Sequence, residues 1–258
     1  MLEFLLSLPA WLGCGLTMVS VALLGLTVYL VSYKLITKHK SDDLKAPSSS
    51  LFGVVGILLS LMLSLAFGEV IVELVSIRNT VEREVIAISD TYKNLCLFDQ
   101  EKTHAIQTTL LDYTQAVIDD DWPALANDNL GQRAGALEQQ LSDAVMKLEP
   151  TTPMQEKLWS RIIEDVDRIS DHRLTRLDYS VAEPPIYIYV IIFGFFVTMA
   201  CFGCHRPQTP LIVLVLLYTA FIGWVLYLIM TLSDPFQGIG VHPTSFENLV
   251  EKMQSGIR

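Results

Sequence analysis

The sequence predicts an all-α integral membrane protein in which four transmembrane helices, paired as two hairpins, flank a helical soluble domain. Three observations predict it: long apolar runs nearly free of charge, an acidic block between them, and apolar spacing of helical period with no competing strand alternation. Of the 258 residues, 51% are hydrophobic and only 18% charged, yet the net charge is −10. Segregation reconciles these numbers, since residues 76–184 hold 20 Asp and Glu against 11 Lys and Arg, a balance of −9. An acidic chain of this kind lacks the basic face that phosphate neutralisation needs, so nucleic acid is not an expected partner.

A helix crosses the hydrocarbon core in about 20 residues. The first span covers residues 9–33, with no charge until Lys34. The second covers 51–75 and acquires Glu69 and Glu73 only in its last turns. The third covers 186–204 and the fourth 211–232. Core helices of soluble proteins alternate apolar and polar faces, which these runs do not. The opening Met1-Leu2-Glu3-Phe4 lacks the basic n-region of a cleavable signal, and the first apolar run is too long for one, so the first span is expected to persist. The division is therefore a first transmembrane hairpin (1–75), an acidic helical domain (76–184), a second hairpin (185–233) and a tail with a short amphipathic helix (234–258).

Basic residues in short loops orient the spans. Lys34, Lys38, Lys40 and Lys45 join spans one and two, and Arg206 joins spans three and four. This places both loops in the cytoplasm of a bacterial inner membrane and the acidic domain in the periplasm. Arg78, Arg83, Arg173 and Arg176, read as basic residues near the bilayer on the domain side, partly cancel that bias.

From Glu69 to Asp121 there is neither Gly nor Pro, so the second span is expected to continue as one helix to about Leu95. A second soluble helix is expected over 101–118, where Ile106, Leu110, Tyr113 and Val117 recur at helical spacing. Asp119, Asp120 and Asp121 read as a solvated turn that ends it; the spacing and glycine of a calcium loop are missing. A third helix is expected over 132–148. A fourth opens at Thr152-Pro153 with Gln155 at capping-box spacing and runs through Leu158, Ile162, Val166 and Ile169. Ser245 then opens a short amphipathic helix through Phe246, Leu249, Val250 and Met253.

Phe52-Gly53-Val54-Val55-Gly56 enters span two, followed by Val81-Glu82-Arg83-Glu84 with Ala87 and Tyr92. Leu111-Asp112-Tyr113, Ala116-Val117-Ile118 and Asp121-Trp122-Pro123-Ala124-Leu125 come next, then Asp234-Pro235-Phe236-Gln237-Gly238, Val241-His242-Pro243 and Phe246-Glu247. In this order, from about Ser50 to Met253, they resemble the bacterial bestrophin-like membrane protein family. The resemblance implies a relation to bestrophins, pentameric ion channels whose helices enclose a central pore. It also implies a cytosolic helical domain, opposite to the charge-based orientation. No bestrophin pore motif is evident, so no pore residue is carried over.

Gly53, Gly56, Ser60, Ser64 and Gly68 follow one another at spacings of three, four, four and four, which stacks small residues on one face of span two. Such a face suits close helix–helix contact in lipid or the wall of a narrow pore. Glu69 and Glu73 lie on nearly the opposite face, where they can reach water, pair with Arg78, or form a ring of carboxylates at a pore mouth. Cys201-Phe202-Gly203-Cys204-His205 has the spacing of c-type haem attachment. Its place at the end of an apolar span fits packing residues better, and no cofactor is expected. The histidines show no paired spacing, so no metal site is expected, and no catalytic motif arranges a base beside a nucleophile. An enzyme is not expected. The function expected is an oligomeric ion channel or pore, with conduction between about five subunits, the second span lining it, and inorganic ions and the lipid bilayer as partners. The alternative is a membrane-anchored interaction or sensing module without conduction.

Overall fold

In a computed structural model, residues 9–37, 45–127, 129–179, 187–236 and 240–257 are described. Met1-Leu2-Glu3-Phe4, Lys38 and Lys40 of the first loop, the expected start of the third span at Ile186, and Gln237-Gly238 lie outside them. All regular structure among the described residues is helical: α1 (Ala10–Thr37), α2 (Lys45–Phe98), α3 (Gln100–Ala116), one π turn (Val117–Asp121), α4 (Trp122–Leu125), α5 (Gln132–Met146), α6 (Pro153–Asp178), α7 (Tyr187–Phe202), α8 (Thr209–Ser233) and α9 (Thr244–Ile257). Two compact units result: residues 1–73 with 183–233, and 74–182 with 234–258. The tail thus belongs to the second unit.

The first unit holds α1, the opening of α2, α7 and α8. Among the described residues, α1, α2 and α8 are long and apolar enough to cross a membrane; the apolar stretch Ile188–Phe202 of α7 is shorter. Its core gathers Tyr29, Leu59, Leu63, Phe195, Met199 and Ile222. Many large apolar side chains stay exposed, Trp11, Val19, Leu23, Leu58 and Leu217 among them, as surfaces bathed in lipid do. Buried hydroxyls donate to their own helix: Thr17 to the Gly13 carbonyl, Thr198 to that of Phe195, Thr219 to that of Val215 and Thr231 to that of Tyr227. No polar hydrogen is left to hydrocarbon by these threonines.

Glycines set the helix spacing here. A Cβ on Gly25 would lie 2.3 Å from Thr219 Cγ2, and one on Gly223 would lie 3.0 Å from Val21 Cβ and 3.1 Å from the Met18 backbone. The two backbones of α1 and α8 therefore approach closely at two levels. Gly194 on α7 meets Leu59 of α2 in the same way, at 3.2 Å.

The second unit is built on the remainder of α2. Ile77, Val81, Ile88 and Leu95 line its inner face against Leu110 and Tyr113 of α3, Leu141 of α5, and Ile162 and Ile169 of α6. The helix stops where Asp99 turns to extended backbone and caps α3 by accepting from Glu101 N. Gln155 Nε2 donates to the orphan carbonyl of Phe98 at 3.1 Å, and Thr103 Oγ1 to that of Leu95 at 2.9 Å. At the start of α6, Thr152 accepts from Gln155 N as a capping box requires, while Gln155 Oε1 accepts from Thr151 N, one residue before the expected partner.

The acidic run does not end a helix. The chain continues through it as the π turn and into α4, and Asp121 is buried rather than solvated. The extra residue of a π turn rotates the residues downstream of it, so Asp121 and Trp122 both point inward while Asp119 stays exposed.

The tail closes this unit. Phe246, Leu249 and Met253 of α9 enter the core, Phe236 and Phe246 pack edge-on against Trp122, and Tyr92 donates to the Met253 carbonyl. Before α9 the chain folds tightly on itself: Val241 N donates to the Pro235 carbonyl at 2.6 Å, and a Cβ on Gly240 would sit 2.1 Å from that oxygen. Only glycine fits there. Phe246 is fully buried, so Phe246→Ala is expected to destabilise the unit by about 3–5 kcal/mol. Hydrogen exchange should then show α9 losing protection first; unchanged exchange over residues 244–257 would contradict this packing.

Candidate functional site

The sequence placed its candidates on α2, and α2 carries them on two separate faces. Leu59, Leu63, Ala66 and Val70 form the buried face. To one side lie Gly53, Gly56, Ser60, Ser64 and Gly68; Gly56 is half-buried and the others exposed. A Cβ added at Gly53, Gly56 or Gly68 would meet nothing within 4 Å. The glycines of this face therefore make no close helix contact with the described chain. Ser60 and Ser64, with Leu63 and Phe67, instead line a groove of about 410 Å³ whose other wall is Phe221, Trp224, Val225 and Leu228 of α8. Across the helix, Glu69 is exposed and Glu73 half-buried.

The second unit brings together charges that stand far apart in the sequence. Arg176, fully buried, donates from Nε to Glu84 Oε2 at 2.9 Å and from Nη2 to Glu84 Oε1 at 3.2 Å and Asp121 Oδ2 at 3.0 Å. Arg173 donates from Nε and Nη2 to the two oxygens of Asp121 at 3.0 and 3.2 Å, and from Nη1 to Glu138 at 3.0 Å. Tyr113 donates to Glu84 at 2.8 Å, and Ser170 to Glu138. Helices α2, α3, α5 and α6 and the π turn are thus tied through one chain of charge-assisted bonds.

Burial works against the Arg176 charge, but Glu84 and Asp121 outweigh it and hold the guanidinium pKa above its ordinary value. Asp121 does the same for Arg173. Tyr113 moves upward too, through burial first and the Glu84 charge second, so its phenol keeps its proton and remains a donor. Arg173 and Arg176 are therefore buried partners, not exposed basic residues at a bilayer edge as the sequence suggested. A signal was present: both continue the inward stripe of Leu158, Ile162, Val166 and Ile169 on α6.

A third feature is a polar cleft of about 370 Å³ between Asp90, Lys93 and Asn94 of α2 and Arg161, Glu164 and Arg168 of α6. Asp165 at its edge accepts from Asn94 and Arg168. Cys201 to His205 spans the end of α7 and the turn that follows it, with Cys204 N donating to the Cys201 carbonyl and His205 N to that of Phe202. A Cβ on Gly203 would lie 2.6 Å from Ser32 Cβ, which marks this motif as a helix-end contact. Among the described residues, no three His, Cys, Asp or Glu side chains gather as a metal site.

The family model of the Bestrophin-like domain matches residues 19–246. The chain belongs to the bestrophin-like family. Among solved structures, a bacterial bestrophin homologue from Klebsiella pneumoniae, phased by Zn-SAD, matches with a TM-score of 0.66 and 12% identity, covering 93% of this chain and 98% of the homologue. A single-mutation variant of that homologue matches with a TM-score of 0.64 and 13% identity, covering 93% and 97%. At such identity the likeness shows the fold. No curated protein matches the sequence. This bestrophin-like chain is accordingly an all-α, multi-pass membrane protein.

In this bestrophin-like fold, Arg176→Ala leaves the buried Glu84 without its cationic partner and takes one of two from Asp121, and is expected to destabilise the second unit by about 3–5 kcal/mol. Replacing the pair together (Glu84→Leu with Arg176→Met) should recover much of that loss in denaturant unfolding; equal loss in the single and double variants would show that the pair does not act as a unit. Asp165 gives a pH signature. Burial, outweighing Arg168, raises its carboxyl pKa above the ordinary value, so its contribution to stability is present in acid and is lost as pH rises through the folded pKa. The advantage of Asp165→Asn over the unsubstituted chain should therefore grow between about pH 3 and 7 in thermal unfolding; a flat difference would contradict the shift.

Proposed function

We propose that this chain assembles as a homo-oligomeric ion channel, with conduction along the axis between subunits and the small-residue face of α2 lining it. One observation carries the proposal. Gly53, Gly56 and Gly68 have open space where a side chain would be, whereas Gly25, Gly194 and Gly223 are packed against neighbouring helices. In lipid, a face of small residues gains nothing over leucine unless another backbone or a water-filled path lies against it. A path within one subunit is unsuitable, since its spans hold almost no charge and an unpaired ion in hydrocarbon is expensive. Membership of the bestrophin-like family supports the same reading.

One straight helix cannot turn both candidate faces toward one axis. The proposal assigns the path to Gly53, Gly56, Ser60, Ser64 and Gly68 and keeps Glu69 and Glu73 off it. The acidic balance of residues 76–184 supports attraction of cations to the soluble region. The lysines of the first loop support a periplasmic soluble domain in a bacterial inner membrane.

Native mass spectrometry in detergent should show a closed ring of about five subunits; a clean monomer would sink the pore and leave the membrane-anchored module. A Cβ at Gly56 would meet nothing within 4 Å, so Gly56→Leu should leave the protomer folded while reducing unit conductance in planar bilayers by half or more. Glu73→Gln should leave the reversal potential in asymmetric salt unchanged. A fall in cation preference would instead give the path to the carboxylate face. Cys96 is exposed, so an impermeant maleimide added to intact cells should label it in a Cys14→Ser, Cys201→Ser, Cys204→Ser background; labelling only after lysis would put the domain in the cytoplasm.

A further inference from the structure

Two neighbouring N–H donors in the second unit are buried without an acceptor. Arg176 engages Glu84 and Asp121 through Nε and Nη2, but its Nη1 has no hydrogen-bond partner among the described residues, and neither has Trp122 Nε1. Arg176 is 0% exposed and Trp122 6%. The two are in contact, with Arg176 Cζ 5.6 Å from the Trp122 ring centre and 5.9 Å from that of Phe246. Phe236 stands edge-on to the same indole at 5.5 Å. Native proteins pair the great majority of their buried donors, so two exceptions of one polarity on side chains in contact call for an explanation, and one acceptor shared between them supplies it.

The surroundings select its chemistry. Both polar groups donate, and the rings beside them are aromatic. Water would bring two hydrogens of its own and normally makes about three bonds. The nearest carboxylate oxygens are already engaged: those of Glu84 by Arg176 and Tyr113, and those of Asp121 by Arg173 and Arg176. A monoatomic anion only accepts. The planar guanidinium also turns Nη1 away from the Nε–Nη2 edge that faces Glu84, so an anion there meets the cation before it meets the carboxylate. Glu84, Asp121 and Glu138 together carry one negative charge more than Arg173 and Arg176, but the carboxylates that meet Arg176 do so at Nε and Nη2, which leaves Nη1 as the open edge of the cation.

We propose that Arg176 Nη1–H and Trp122 Nε1–H together bind one halide ion in the core of the second unit. The ion joins α6 to α4 beneath Phe246 of α9 and Phe236, and so stabilises the closed position of the tail. This site is separate from the conduction path proposed for α2 and does not rest on it.

Sodium bromide is the probe. Crystals of the full chain soaked in it should show one anomalous bromine peak within hydrogen-bonding reach of both nitrogens. In detergent at constant ionic strength, replacing sodium gluconate by sodium bromide should raise Tm by a few degrees and saturate, as a ligand of the folded state does. Trp122→Phe keeps the ring and removes the donor, and should abolish the saturable rise while leaving any general salt effect. A map with no bromine at this place, whether it shows water, a protein carbonyl or nothing, overturns the proposal. So does a rise that persists undiminished in Trp122→Phe.

Discussion

A guanidinium withdrawn entirely from water is the constraint around which the soluble unit is organised. Removing a charge of that size from solvent carries a penalty of several kcal/mol even after relaxation, and it is tolerable only where carboxylates meet it with good geometry. Arg176 has Glu84 from α2 and Asp121 from the π turn, and Asp121 brings in Arg173, which brings in Glu138 from α5. An arrangement of these helices that separated any partner would leave a charge buried and unpaired. The network thereby fixes the register of α6 against α2 more narrowly than the surrounding leucines and isoleucines, which can repack, are able to do.

The π turn arises from the same constraint. A regular helix through Asp119, Asp120 and Asp121 would not bring Asp121 and Trp122 to the interior together. One added residue per turn does. Asp120 then accepts from the backbone of Arg133 at the head of α5, and Gly131, with space for no side chain beside Asp121, lets the chain pass. An irregular feature of the backbone is thus explained by where two side chains have to be.

The membrane unit obeys a different rule. Lipid is as apolar as leucine, so its helices associate through close packing and satisfied polar groups. Gly25 against Thr219 and Gly223 against Met18 and Val21 supply that packing between α1 and α8. The glycine and serine face singled out on α2 takes no part in it. Small residues in an apolar span announce close approach without naming the partner, because the spacing describes one helix and the contact belongs to two.

The amino-acid order by itself determined the all-helical class, the apolar runs, the acidic block, the caps at Thr152 and the amphipathic tail, because each depends on residues within a few turns of one another. It did not show that the acidic run continues as helix, that Arg173 and Arg176 are interior, or that the tail completes the second unit. Nor did it tell which glycines pack and which stand open. Those were decided by tertiary structure. A charge reads as solvated until its partner is known, and the partners of Arg176 lie 92 and 55 residues away along the chain.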